Sequence, residues 1–528
     1  MLRDFGPDNI LNWTTTSHEG IYDLEVTVRN LTNGDVATTM LPYRFQSLLT
    51  GGKAVATPTS HSLVFLFSAP GCAAGGRMRV EFGMGTLASP DMTTSEGLRQ
   101  GSQYTPFKAC TPGLSMNFLL AGMRAETAYT ARALVDTGSQ VVAGDAVAFT
   151  TGSLPKGLYT DTIPKPYVGY STDPVLLGSA IGAVPAANDL AGNVIWYGVG
   201  NTGLLTRPIA GGDMWGLVEN AGAPASQQLL QRFDLTGMIV QSTNAARVNE
   251  QLQAMGKRTI TGFHHEARSI ADGRVVVLAG VEQVLTDVQG PGAVDVLGDM
   301  ILVLDKDLNV VWTWDTFDHL DPHRAAILNE KCPGACPPLQ LSSVANDWTH
   351  GNAVEETQDG NLLYSTRHQD WLIKINYDGG TGDGRILWRL GKDGDFAMQS
   401  KDAYPWFSHQ HDGNFDASGK LAVFDDGNTR VAQMGGGNSR GQVLQVDETH
   451  MTVTPYLDAD LGVYAAAVGS AQRLRNGRYH FDAGFVQENK TIDSYSFEVS
   501  PTGKIDYEAH QNVILYRSFR MQDMYTPN

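Results

Sequence analysis

Apolar residues alternate with polar ones over short runs along most of this chain, and Gly, Pro, Asn and Asp fall between the runs. That period-two pattern with frequent turn signals predicts strands rather than long amphipathic helices. Over residues 1–155 the runs lie at Tyr22–Val28, Ser62–Phe67, Met78–Phe82, Thr127–Leu134 and Val142–Thr150. They predict an N-terminal all-β module. Ser153-Leu-Pro-Lys-Gly157 then reads as a linker.

From about residue 165 the pattern repeats, and repetition at this period predicts the architecture. Each unit has a strand, an Asp-Gly-like turn, a second strand ending in Leu-Asp or Val-Asp, and a further turn into an aromatic-bearing strand. Ala271-Asp-Gly-Arg-Val-Val-Val-Leu278 with Ile301-Leu-Val-Leu-Asp305 and Val310-Val-Trp-Thr-Trp314 is one unit. Gln358-Asp-Gly-Asn-Leu-Leu-Tyr364 with Leu372-Ile-Lys-Ile-Asn376 and Arg385-Ile-Leu-Trp388 is another. Two more centre on Ala417–Phe424 and Arg475–Tyr479, and an earlier one on Asp213-Met-Trp215. Asn193-Val-Ile-Trp196 and Val513-Ile-Leu-Tyr516 would share the last unit between the two chain ends. Four-stranded units so arranged close into a ring. The expected fold is therefore all-β: a six-bladed β-propeller over 156–528, preceded by a β-sandwich over 1–155. Within that first module, Leu120–Tyr129 and Ala146–Thr151 resemble the closing strands of a fibronectin-type-III sandwich, whose tyrosine caps a corner.

Composition narrows the function. Glycine is abundant at 58 residues and charged residues are few at 18%, which suits short strands and tight turns. The net charge of −18 argues against nucleic acid, whose phosphates need a basic surface. It does not exclude a small anion, because a local cationic cluster outweighs distant charge at screened range. No apolar run is long enough to predict a membrane span. Four cysteines in two groups suggest the bridges Cys72–Cys110 and Cys332–Cys336, hence an oxidising compartment, periplasmic or secreted. The opening Met1-Leu-Arg-Asp-Phe-Gly6 has no hydrophobic signal run, so an exported chain would have shed its signal.

The candidate chemistry lies in the register of the histidines. His265 precedes the turn glycine Gly273 by eight residues, His411 precedes Gly419 by eight, and His350 precedes Gly360 by ten. Near-equivalent positions on the innermost strands of three consecutive units would converge at the mouth of a central channel. Arg367 follows at the end of the next strand. A guanidinium beside imidazoles suits a tetrahedral oxyanion, to which its planar fork donates paired hydrogen bonds. Asn352, two residues after His350, returns to the same strand face and offers an amide donor. His319, His323, His368, His450, His480 and His510 read as ordinary satisfied polar residues, as does His264 on register alone. Asp425-Asp426-Gly427-Asn428 lacks the spaced ligands of a calcium loop and reads as a tight turn. Three histidines could also hold zinc or copper, but Arg367 beside them opposes a divalent cation.

Thr349-His-Gly-Asn-Ala353, Tyr364-Ser-Thr-Arg-His-Gln-Asp370, Gly384-Arg-Ile-Leu-Trp-Arg-Leu-Gly391, Gln410-His-Asp412 and Val423-Phe-Asp-Asp-Gly-Asn-Thr-Arg430 together resemble the bacterial arylsulfate sulfotransferases. The likeness runs over about 165–520 and departs at Asp426, where the family pattern has asparagine. It implies a periplasmic, homodimeric propeller enzyme that needs no adenosine-phosphosulfate donor. It further implies that His411 is the nucleophile and that His350, Asn352, Arg367 and His265 hold the sulfuryl oxygens. His264 beside His265, and His409 two positions before His411, are the alternatives for those two places. The expected substrates are an aryl sulfate donor and a phenolic acceptor, exchanged in two half-reactions through a sulfohistidine. No cofactor is expected: Thr50-Gly-Gly-Lys53 lacks the spacing of a phosphate-cradling loop. A hydrolase using the same pocket and a non-catalytic interaction propeller are the competing functions.

Overall fold

Hairpin turns explain why strand follows strand. The computed structural model describes residues 2–7, 19–87, 101–219, 223–333, 338–488 and 490–528. In the recurring Asp-x-x-Gly turns the aspartate side chain accepts backbone N–H groups two and four residues on: Asp234 Oδ1 from Thr236 (2.8 Å) and Met238 (3.1 Å), Asp416 Oδ1 from Ser418 (2.7 Å) and Lys420 (3.1 Å). Glycine completes each turn in the left-handed region, with φ of +82° at Gly237 and +77° at Gly419. At the Leu304-Asp305 signature of the repeat, Asp305 Oδ1 likewise accepts from the N–H groups of Asp307 (2.8 Å) and Asn309 (2.9 Å), so the signature is turn chemistry.

The chain is all-β apart from short helices. In the N-terminal part, Val55–Pro58, Phe65–Ala69 and Met116–Leu120 form one sheet, and Arg77–Met84 with Ala128–Asp136 centres a second. Phe67, Val80, Phe82, Phe118 and Ala131 are buried in the core these sheets share. Tyr129 Oη accepts the Arg124 N–H at 2.9 Å. Cys72 and Cys110 form a disulfide. Cys336 lies outside the described residues, so its expected pairing with Cys332 is not described.

Among the described residues, six further sheets follow, each built on an antiparallel meander, and two of them add a short parallel strand, Ala345–Asp347 and Ala397–Met398. The meanders start at the edge strands Leu204–Pro208, Gly262–Ser269, Gly351–Glu356, His411–Phe415 and Gly469–Arg473, and at Ile514–Asp523, which also pairs the short Thr526–Pro527. Each packs on the next, and the cycle closes where Val175–Ile181 meets Leu204–Pro208. The last sheet joins both chain ends: Val175–Ile181 pairs Ile514–Asp523 on one side and Ala186–Asp189 on the other, with Val194–Tyr197 beyond. Asp161–Lys165 adds to the sheet of Gly469–Arg473 through Ile505–Gln511, a second seam between early and late sequence. The N-terminal sheets share their core with this assembly through Leu177, Trp196, Met521 and Tyr525. Tyr525 Oη donates to Leu119 O at 2.8 Å and accepts the Ala121 N–H at 2.9 Å.

Candidate active site

Three consecutive edge strands carry a β-bulge where the candidate histidines lie. The pairing register shifts between Phe263 and Ala267, between Gly351 and Ala353, and between His411 and Asn414. Left-handed backbone falls within two of the bulges, at His265 (φ +56°) and Asp412 (+53°), and just before the third, at His350 (+46°). For side chains other than glycine this conformation costs roughly 1–2 kcal/mol each, and such strain persists where surrounding structure enforces it. His265 is itself left-handed, while His411 stands one residue before its left-handed neighbour. The bulge breaks strand alternation, so a side chain that would face the next sheet turns toward the edge. Gly351 has no alternative here, since a Cβ would lie 2.4 Å from the Tyr364 ring.

Each of the three imidazoles is anchored through Nδ1. His411 Nδ1 lies 2.7 Å from Asp426 Oδ2, and His350 Nδ1 lies 2.6 Å from Asp347 Oδ2. His265 Nδ1 meets His264 Nδ1 at 2.8 Å, and His264 Nε2 lies 3.0 Å from Asp299 Oδ1, without the alignment of a full hydrogen bond. Asp299 is itself fixed by Tyr364 Oη (2.5 Å), the Gly351 N–H (2.7 Å) and Thr349 Oγ1. Anchoring Nδ1 on an acceptor sets the tautomer and leaves Nε2 with its lone pair. The His265 and His350 ring centroids are 4.9 Å apart, and Tyr516 stands edge-on to His265 at 5.6 Å.

Arg367 joins the cluster from the end of Leu362–Thr366. Its Nη1 donates to His368 Nε2 at 2.7 Å and its Nη2 to Ala466 O at 3.0 Å. Its Nε is buried and has no partner among the described residues, a donor an anion would satisfy. Because His368 Nε2 accepts from Arg367, its Nδ1 carries the proton and donates to Asp347 O at 2.7 Å. The His368 ring stacks on His350 with centroids 4.4 Å apart. His409 has both nitrogens committed to carboxylates: Nδ1 is 2.9 Å from Asp370 Oδ1, and Nε2 contacts Glu330 Oε1. Asn352 is buried, donates Nδ2 to Gln410 O at 2.7 Å, and leaves Oδ1 unpartnered.

Burial and charge divide the histidines. Burial, then the neighbouring Arg367, His350 and Arg517 side chains, hold His411 well below the ordinary imidazole range. Burial, then His350 and His264, do the same for His265, and burial, then His350 and Arg367, for His368. At His409 burial opposes the charged form but the Asp370 and Glu330 carboxylates outweigh it, and its pKa is raised. Burial pushes the Asp426 carboxyl well up, with Arg367 drawing it back. The site thus offers neutral, lone-pair-bearing imidazoles beside a fixed guanidinium and an imidazolium.

His265, His350, Arg367 and His411 therefore lie in one cluster, with His264 behind His265, His409 behind Arg367 and Asn352 holding the strand of His411. Sequence reasoning missed the acids Asp299, Asp347 and Asp426, and it set His368 aside. Two ligand-like clusters, Asp347–His350–His368 and Glu330–His368–His409, place their donor atoms within 4.8 Å of one another. A metal at either would compete with Arg367 for His368.

Imidazoles from three edge strands beside a guanidinium form a donor set that suits a small oxyanion. Residues 171–517 match the family Arylsulfotransferase (ASST), and the chain belongs to that family. No curated protein matches it by sequence. Among solved structures, a protein of unknown function from Bacteroides caccae is similar at 10% identity and TM-score 0.40, covering 65% of this chain and 97% of its own. A streptogramin B lyase structure follows at 11% identity and TM-score 0.28, covering 64% of this chain and 74% of its own. These likenesses are too distant to bear on function.

Proposed function

We propose that the protein moves a sulfuryl group from an aryl sulfate to a phenol, with His411 carrying it between the two. The observation that supports this most is the set of Nδ1-anchored imidazoles gathered around Arg367. Asp426 holds the Nδ1 proton of His411, so Nε2 attacks sulfur in line. The N–S bond forms, the S–O bond to the aryl group breaks, and the phenolate leaves. Asp426 takes the Nδ1 proton and so offsets the positive charge of the N-sulfo imidazolium. Arg367 donates its Nε–H, unpartnered among the described residues, to the sulfuryl oxygens, and His350 lines the same space. His265, backed by His264 and Asp299, takes the proton of the acceptor phenol, whose oxygen then displaces Nε2 from sulfur. His409 is a poor nucleophile because both nitrogens are engaged; it and Asn352 support the site.

The same reading makes the six sheets the blades of a β-propeller over 156–528, and the earlier sheets a fibronectin-type-III-like sandwich over 1–155. The Cys72–Cys110 disulfide favours an oxidising, extracytoplasmic compartment, and a homodimer is in keeping with the family. The test is steady-state kinetics with 4-nitrophenyl sulfate at several concentrations of a phenol. Parallel double-reciprocal lines and sulfated phenol as product are expected. Intersecting lines would oppose the covalent carrier, and free sulfate as the main product would make the protein a hydrolase.

A further inference from the structure

Next to the histidines lies a closed ring of four buried charges to which the proposed reaction assigns no step. Arg207 Nη2 is 2.8 Å from Glu266 Oε2 and also contacts Asp412. Arg517 Nη2 is 3.0 Å from Glu266 Oε2, its Nη1 donates to Glu266 Oε1 at 3.2 Å, and its Nε is 3.8 Å from Asp412 Oδ1. Arg517 also donates to Thr206 O at 3.3 Å and to Asn352 O at 2.5 Å. The four side chains come from four different sheets, and Asn352 supplies a fifth. None is more than 9% exposed.

As a stabilising device such a ring is unpromising, because desolvating four charges offsets much of their attraction and apolar replacements often serve as well. Its placement suggests another purpose. Glu266 directly follows His265, and Asp412 directly follows His411. The left-handed residues of those two bulges are His265 and Asp412 themselves. Each acid is therefore a rigid handle on the backbone that aims a reacting imidazole, and the two arginines tie the handles together.

We infer that Arg207, Glu266, Asp412 and Arg517 are positioning residues, a charge ring that fixes the bulges of His265 and His411 and so sets the two imidazoles on either side of the reacting sulfur. The inference rests on the proposed sulfuryl transfer, and two readouts keep the ideas apart. Glu266→Gln removes one charge without changing shape. Arg207→Met combined with Asp412→Leu removes one charge of each sign and leaves Arg517 paired with Glu266. Melting temperature and near-UV circular dichroism report folding; should the double variant not fold, the isosteric variant carries the test. In folded protein, kcat for aryl sulfate turnover is expected to fall about 10²-fold, the size of effect a misplaced reacting group produces, with KM little changed. The rates at which diethyl pyrocarbonate modifies His265 and His411, followed by peptide mass, should change as well, and that readout needs no turnover. Unchanged kcat together with unchanged modification rates would overturn the inference. If the unaltered protein turned over no aryl sulfate, the proposed function would fall, and the modification rates alone would decide for or against the ring.

Discussion

His411 Nδ1 and Asp426 Oδ2 lie 2.7 Å apart, both buried, and this pair joins the end of one strand to the start of the edge strand beside it. The other Asp426 oxygen has no partner. Among the described side chains Asp426 is therefore engaged by His411 alone; it fixes the ring, and its raised proton affinity lets it take the Nδ1 proton as sulfur bonds to Nε2. Asp426→Ala should lower kcat by about 10²–10⁴-fold, the range for losing general acid–base assistance. Asp426→Asn keeps an oxygen that accepts a hydrogen bond from Nδ1 but cannot take its proton, and should cost less. Equal losses in the two variants would mean that proton uptake, not the fixing of the ring, is what Asp426 supplies.

The pH dependence has a definite sign. His411 must be neutral to attack, and its pKa is depressed, first by burial and then by the nearby Arg367, His350 and Arg517 side chains. Protonation is thus deferred to low pH, and kcat/KM should hold through the ordinary imidazole pKa of about 6.5 and fall only below it. Arg367→Met should lower the rate and move that acidic limb upward. A profile of kcat/KM against pH checks both; a limb at or above the ordinary value in the unaltered protein would contradict the placement of His411.

His409 behaves oppositely in stability. Its folded-state pKa is raised: burial opposes the charge, but Asp370 and Glu330 outweigh it. Such a group contributes stability that is fully present below its unfolded pKa and is lost as pH rises through the folded value. The melting-temperature gap between the unaltered protein and Glu330→Gln should therefore be widest below about pH 6.5 and narrow as pH rises. A gap that widened with pH would show that His409 is not held as an imidazolium.

The Cys72–Cys110 bridge spans a sequence separation of 38 within the N-terminal sheets and away from the histidine cluster. Replacing both cysteines with serine should cost about 2–4 kcal/mol of stability, read as a lower denaturant midpoint, with kcat unchanged at 25 °C. A large loss of kcat in folded protein would mean that the N-terminal part shapes the site.

The repeat made much of this legible. Turn aspartates and glycines mark each hairpin, and the sharing of the last sheet between Asn193–Trp196 and the region of Val513–Tyr516 followed from incomplete units at the two ends. His265, His350 and His411 are visible because they recur on the repeat, and Arg367 because it ends the strand that follows His350. Their partners were not. Asp347 lies on Ala345–Asp347, a strand added to the sheet of Val275–Thr286 through Ala293–Leu304 and outside the repeating pattern, and Glu330 lies in the long connection before it. Asp426 was read as part of a turn because an Asp-Asp-Gly run ordinarily is one; its place fifteen residues after His411, at the end of the adjoining strand, was the available signal. His368 was set aside as a satisfied histidine. It is satisfied, by Arg367 and Asp347 O, and it is also the ring on which His350 stacks.

The most direct test of the central claim is the mass of the protein after brief exposure to 4-nitrophenyl sulfate. One added sulfuryl group is expected, on the peptide containing His411, absent from His411→Ala and discharged by a phenol. An active enzyme with no adduct, or with the adduct on His409 or another peptide, would contradict the account.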